Sequence, residues 1–290
     1  TAGTVTNESS LDPGAPNYLA AYCVRRDGAA AALADITTGE VRVATGDEAL
    51  LELLRSAPAE LLCEDGEAPV GIAGAVRPRA ALSDLAADTE LARQFGEQAR
   101  AALVGSAAEA AALAHVLSYL RETYAAALGA LQRVRTLAPG GLLTVDQRTL
   151  RNLDVLDGPG RQSLFAVLNG TRTAMGARLL RGWLTRPLRD REELWRRHDA
   201  VAWAAAHPIE REQCQAVLRG IPDIGRLAGK VGARSAGPRD LHALRLGLRG
   251  VLDLGAVLAR GEPPELLKEA LSGLAAAASL PVVPLEGSVG

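Results

Sequence analysis

Few residues in this 290-residue chain stand at spacings that do chemistry. The nearest approach to a phosphate cradle is Gly225 to Val231, GRLAGKV. A P-loop needs G-x-x-x-x-G-K-[ST], because its glycines let backbone amides wrap a phosphate, its lysine reaches the charge and its hydroxyl holds magnesium. Here the spacing is one residue short, and Val231 stands where the hydroxyl belongs. The stretch also follows a helical pattern, so it reads as a core-facing helix. Asp35 ends a candidate strand beside Thr37-Thr38-Gly39. A carboxylate there suits two-metal phosphodiester chemistry, but no second and third acid fall at matching strand ends, and an aspartate bonding its own turn is the simpler reading. His115, His198, His207 and His242 each lack a second ligand at i, i+4, so no metal set is expected from them. No nucleophile-elbow spacing surrounds any serine. Cys23, Cys63 and Cys214 are odd in number and form no CxxC, which points away from zinc and disulfides and toward a reducing compartment.

One cluster is electrostatic. Arg172, Arg178, Arg181, Arg186, Arg189, Arg191, Arg196 and Arg197 sit among only Asp190, Glu192 and Glu193. Arg178, Arg181, Arg186 and Arg189 are candidate phosphate contacts. The competing reading, preferred here, is helix-surface arginine and ion pairs between elements. Sparse aromatics argue against single-strand binding. The net charge of -2 gives no overall nucleic-acid footprint. No apolar run approaches the roughly 20 residues of a membrane helix, and no signal-peptide pattern opens the chain.

These residues ride on two kinds of sequence. Residues 17 to 64 alternate strands and a helix. Tyr18 to Val24 reads as a strand, Arg25-Arg26-Asp27-Gly28 as a hairpin turn, Ala29 to Ile36 as its return and Glu40 to Ala44 as a third strand. Thr45 and Glu48 fit a capping box for a helix through Leu54. Glu60 to Cys63 reads as a parallel strand. Residues 66 to 82 lack pattern and read as loop. From Gly105-Ser106, the preferred boundary, nearly everything is helical. Ala107 to Ala127 places Leu113, Val116, Leu117, Leu120 and Tyr124 together. Thr144 with Gln147 and Asp190 with Glu193 imitate further capping boxes, Asp223 caps another helix, and Pro238 starts the longest. The βββαβ order predicts a ribonuclease H-like α/β domain over 1–105, followed by an all-α domain over 106–290.

The stretch Leu164 to Asp190, LFAVLNGTRTAMGARLLRGWLTRPLRD, is a turn followed by a helix capped by Thr171 or Thr173. Met175, Leu179, Leu180, Trp183 and Leu184 form its predicted buried face. Thr171, Thr173, Met175, Gly176, Arg178, Leu180, Trp183, Leu184, Pro187, Leu188 and Asp190 match a string that opens the core, or lever, domain of the MutS family of DNA mismatch-recognition ATPases, which this stretch resembles. Asn17 to Ala21, Asp35 to Glu40 and Pro58 to Glu60 resemble that family's ribonuclease H-like connector domain. Asp146, Arg151-Asn152-Leu153, Ile221 to Leu227 and Ser235 to Leu241 are similar to further core landmarks. Asp154 replaces the family's usual glutamate, and Asp223-Ile224-Gly225-Arg226 replaces Asp-Leu-Glu-Arg. Phe95-Gly96-Glu97 has the letters of the family's mismatch-reading Phe-x-Glu, but its surroundings do not match, and a packed phenylalanine explains it better.

The resemblance implies a bacterial, cytoplasmic, nucleoid-associated mismatch repair protein, of which this chain would be a fragment holding the connector and the first part of the core. The full-length family binds ATP and magnesium; this fragment carries no ATPase site and no cofactor, and is expected to be inactive alone. It would transmit conformational change between DNA-binding and ATPase domains, with a joint near Gly105. Mismatched duplex DNA would be held by domains lying elsewhere. A MutL-type partner would dock on the connector, with Arg25, Arg26 and Asp27 as candidates because a charged hairpin projects into water. The full-length protein would be a homodimer and the fragment a monomer. The alternatives are a ribonuclease H-like nuclease and a non-repair homologue clamping DNA junctions.

Overall fold

The computed structural model describes residues 3, 12–64, 69–72, 74–97, 105–137, 141–143, 145–158 and 162–278. Strands β1 (Tyr18–Arg25), β2 (Gly28–Asp35) and β3 (Glu40–Thr45) pair antiparallel in chain order, with Tyr18 opposite Asp35 and Ala30 opposite Thr45. Helix α1 (Asp47–Ser56) then crosses over, and β4 (Glu60–Glu64) lies parallel to β1, Leu19 opposite Glu60. β5 (Ala75–Arg79) continues parallel beyond β4, and β6 (Arg133–Thr136) joins the far edge parallel to β3. The strand order is β5-β4-β1-β2-β3-β6.

Period-two alternation gives the sheet two apolar faces. Tyr18, Ala20, Ala31, Leu33 and Leu61 pack against Ala49 and Leu53 of α1. On the other face Leu19, Ala21, Cys23, Ala32, Val41, Val43 and Leu62 meet α2 (Asp84–Phe95) and α3 (Ala107–Thr123). Twelve of the seventeen residues of α3 are buried, among them Leu113, Val116, Leu117 and Leu120, which explains its alanine richness: a helix apolar on all sides belongs in a core.

Four expectations are corrected here. The boundary at Gly105 assigned residues 107–123 to the helical half, yet α3 covers the sheet and β6 extends it. Residues 66–82 were expected to be loop, yet β5 lies among them; it is an edge strand with Pro78 and mostly exposed side chains, so it shows no alternation. The Thr45–Glu48 capping box does not form: Thr45 still belongs to β3, Gly46 turns the chain at φ 60, and Glu48 pairs with Arg55 instead. The predicted buried face of the helix after Leu164 is not a core: Leu179 is 55% and Trp183 40% exposed, and only Ala177 and Thr185 of that helix are buried.

After β6 the chain is helical. α4 (Gln147–Asn152), α5 (Leu164–Leu168) and α6 (Ala174–Thr185) are capped by Asp146, Ser163 and Thr173, whose side chains accept from Thr149, Ala166 and Gly176 backbone N–H groups. Thr144, expected to cap α4, lies outside the described residues. There follow α7 (Arg191–Ala206), α8 (Pro208–Arg219), α9 (Ile224–Gly232), α10 (Pro238–Leu258) and α11 (Glu265–Ala278). Asp223 caps α9 as expected.

Two compact units result: Thr1–Asp190 with Asp223–His242, and Arg191–Pro222 with Ala243–Gly290. The second is held by its own contacts. Trp203 donates from Nε1 to the Gly261 carbonyl at 2.6 Å and stacks on His207, and Arg196 bridges Glu193 and Glu269. No helix among the described residues is long and apolar enough to cross a membrane.

Candidate functional site

Within the first unit, α6 and α9 meet the sheet layer at a joint of buried charge and bare backbone. Glu52 lies on the inner side of α1 and is fully buried. Its carboxylate accepts from Arg186 Nε at 2.9 Å and Nη2 at 2.5 Å, from Arg42 Nη1 at 3.2 Å and from the Ser56 hydroxyl at 2.9 Å. Arg186 also donates to Ser56 at 2.7 Å. It is the C-cap residue of α6, placed by the break before Pro187. Burial alone would raise the Glu52 carboxyl, but the bonds and charge of Arg186, with Arg42, hold it below the usual carboxylate range. Burial first, then the like charge of Arg186, push Arg42 down to about 10. Arg42 lies over the Tyr18 ring at 4.9 Å and pairs with Glu40 at 2.9 Å. Next to this network Leu142 bridges Leu188 in antiparallel pairing, which ties Leu142 to the segment after α6.

The second half of the joint is made by glycines. A Cβ on Gly229 would lie 2.2 Å from the Thr37 carbonyl oxygen, and one on Gly232 would lie 2.8 Å from the Ala130 Cα. So α9 presses its backbone onto the β2–β3 turn and onto residues 129–130. Of the glycines in the GRLAGKV stretch, Gly229 serves this close approach, and the stretch forms helix α9 rather than a phosphate loop. On its own side of the joint, Arg178 makes a bidentate pair with Asp223 at 2.6 and 2.8 Å and donates to the Pro13 carbonyl at 2.9 Å. Arg226 donates to the Asp12 and Ala15 carbonyls at 3.1 and 3.2 Å, fixing the chain just ahead of β1.

Sequence comparison gives this joint its context. Residues 17–132 match the family model described as MutS domain II, and residues 148–284 match MutS domain III. The chain belongs to the MutS family. DNA mismatch repair protein MutS of Cereibacter sphaeroides is 35% identical over 285 residues, covering 94% of this chain and 32% of that protein. The proteins of the same name from Symbiobacterium thermophilum and Myxococcus xanthus are each 36% identical, over 86% and 95% of this chain and 31% and 33% of their own lengths. The chain thus spans about a third of the curated relatives it matches. Glu52, Arg42, Thr37 and Ala130 fall in the domain II match of this MutS chain, and Arg186, Gly229, Gly232 and Asp223 in the domain III match. The joint is thus a contact between the two matched regions.

The residues singled out by sequence are mostly spent on structure. Of the four arginines marked for phosphate, Arg178 is paired with Asp223, Arg186 with Glu52, and Arg181 lies over the Phe165 ring at 4.8 Å; Arg189 is exposed. The hairpin was expected to project its charges into water. Instead Arg25 makes a bidentate pair with Glu64 at 2.6 and 2.7 Å, and Asp27 accepts from the Ala107 N–H at the start of α3 at 2.6 Å. Arg26 is exposed. Asp35 is buried and accepts from the Thr37 N–H at 2.9 Å and the Thr37 hydroxyl at 2.6 Å, as a turn-bonding aspartate does. Phe95 packs against the core. Sequence reasoning missed Glu52, Gly229 and Gly232. A glutamate on the apolar side of α1, beside Leu53, is the one local signal that pointed to a buried partner.

Proposed function

We propose that this chain is the transmission segment of a mismatch repair MutS protein, linking domains that read DNA to domains that hydrolyse ATP. One observation carries the reading: a fully buried carboxylate, Glu52, is closed by Arg186 from the other family domain, backed by glycine-to-backbone contact. Motion imposed on α6 is then delivered to the sheet without slack, because buried ion pairs resist partial separation. Three antiparallel strands followed by parallel β4 and β5 on the opposite side of β1 support a ribonuclease H-like connector. We place the end of that connector after β6, since α3 and β6 belong to its sheet, and the core domain beyond it. In the whole protein, ATP and magnesium, mismatched DNA and the second copy of a homodimer would engage other domains. Docking of a MutL-type protein on the connector turn now rests on Arg26, and phosphate contact in the arginine cluster on Arg189.

The test uses full-length protein carrying Glu52→Gln. Mismatch-provoked exchange of ADP for ATP should fall by about 5–150-fold, the span of an ordinary allosteric coupling, while affinity for a G·T duplex is kept. Unchanged exchange in a folded variant would overturn the reading. For the partner surface, Arg26→Glu should lower MutL capture; full capture removes the turn from the interface.

A further inference from the structure

Away from the joint, three metal-capable side chains meet beneath α3. Cys23 is on β1, Glu64 is the last residue of β4, and His115 is in the middle of α3. All three are buried, and a sulfur, a carboxylate oxygen and an imidazole nitrogen lie within 4.8 Å of one another. Their place in the sheet is informative. β1 and β4 are parallel neighbours; on one side of this pair the chain runs on through β2 and β3, and on the other through β5. Cys23 and Glu64 lie toward the carboxyl ends of these strands, on the face that α3 covers.

The polar bookkeeping of the site is incomplete. His115 Nε2 is 3.0 Å from Glu64 Oε1, but its Nδ1 is buried with no hydrogen-bond partner among the described residues. The two side chains are only 2% and 7% exposed. Nε2, the ring nitrogen beside Glu64, is the one placed to share a cation with that carboxylate.

We propose that Cys23, Glu64 and His115 bind one thiophilic divalent cation of the zinc class. The donor set decides the class: sulfur, imidazole nitrogen and carboxylate oxygen suit zinc, whereas magnesium and calcium take oxygen ligands. On binding, the Cys23 thiol releases its proton to solvent and its sulfur lone pair forms the bond to the metal. Neutral His115 contributes a ring nitrogen and Glu64 a carboxylate oxygen. Thiolate and carboxylate together balance the charge of the cation. Arg25 stays as the outer partner that orients Glu64. Three protein ligands leave one tetrahedral position for water. The bound ion ties β1, β4 and α3 together and stiffens the sheet on which the joint stands. Positions 23, 64 and 115 along the chain form no motif, so only the fold reveals the set.

Cobalt(II) added to the 290-residue chain is the direct probe. The expected result is a thiolate-to-cobalt charge-transfer band that saturates at one equivalent and is displaced by zinc. Cys23→Ser should remove the band and weaken binding by more than about 100-fold, since even outer partners of a metal are worth about 10–100-fold. Cys214→Ser should keep it. Absence of the band at saturating metal, or its survival in Cys23→Ser, overturns the proposal. If the serine variant fails to fold, zinc-edge X-ray absorption on the Cys214→Ser protein decides: one sulfur among nitrogen and oxygen neighbours supports the site, and no sulfur overturns it.

Discussion

Helices α3 and α6 each carry three leucines and are capped by a hydroxyl side chain, yet they are held in opposite ways. α3 is fastened by apolar burial over most of its circumference. α6 leaves about half of Leu179 and two-fifths of Trp183 exposed and is fastened at particular polar points: Thr173 at its start, Arg178 on Asp223, Arg186 on Glu52. The lesson concerns what each can transmit. Apolar burial is non-directional and tolerates sliding. Hydrogen-bonded charge fixes register and orientation. A segment built to carry motion would have its lever helix pinned by the second means onto a sheet kept whole by the first.

The sharpest way to break this comparison is at Glu52. Glu52→Gln leaves Arg42 and Arg186 without their buried anion, and removing one partner of a buried pair costs about 3–5 kcal/mol. Urea unfolding followed by tryptophan fluorescence checks it, since Trp183 is on α6. A cost under about 1 kcal/mol would mean that α6 is not pinned there. Next in size, Leu117→Ala on α3 should cost about 2–5 kcal/mol, the range for a core leucine. Trp183→Ala on α6 should cost less than about 1 kcal/mol despite the larger side chain, because exposed positions change stability little. Equal costs, read by circular dichroism melts, would erase the contrast between the helices.

Acid sharpens the same contrast. The folded-state pKa of Glu52 is depressed, so its contribution is fully present above the unfolded carboxylate value, about 4.3, and is lost as pH falls through the lower folded value. The contacts of α6 should therefore weaken before those of α3 as pH drops below about 4. Hydrogen exchange of the two helices at pH 6 and pH 3.5, with rates corrected for intrinsic pH dependence, tests this. A further comparison sets two glycines of α9 side by side. Gly229→Ala must push a methyl against the Thr37 carbonyl and should cost about 1–3 kcal/mol. Gly225→Ala meets nothing closer than 3.5 Å and should be neutral or stabilise by about 0.5–1 kcal/mol, the helix preference for alanine. Similar melting temperatures for the two variants would deny the close backbone approach.

Much of the local structure was legible. The hairpin β1–β2, the crossover to β4, the caps Thr173 and Asp223 and the proline start of α10 all follow from signals a few residues long. The string from Thr171 to Asp190 identified the family before any contact was known. What misled was reading composition as location. Alanine-rich α3 was assigned to the helical half because its neighbours downstream are helical, although a helix apolar all round needs a sheet or bundle to cover it. Trp183 was placed in a core because helical spacing predicts a shared face, and spacing says nothing about whether a partner covers that face in this chain.

The sequence by itself determined the β1–β2 hairpin, the parallel sense of β4 and the caps Thr173 and Asp223, because turns, caps and periodicity are energies exchanged between near neighbours, and its motif strings determined the MutS membership. Only the tertiary structure decided which charge meets which. Arg186 and Glu52 are 134 residues apart, and Arg25 and Glu64 are 39 apart. Cys23, Glu64 and His115 converge from two strands and a helix. Such pairings depend on how whole elements approach, which is set by burying apolar area across the layer, and the charged side chains then take the partners that desolvation forces on them.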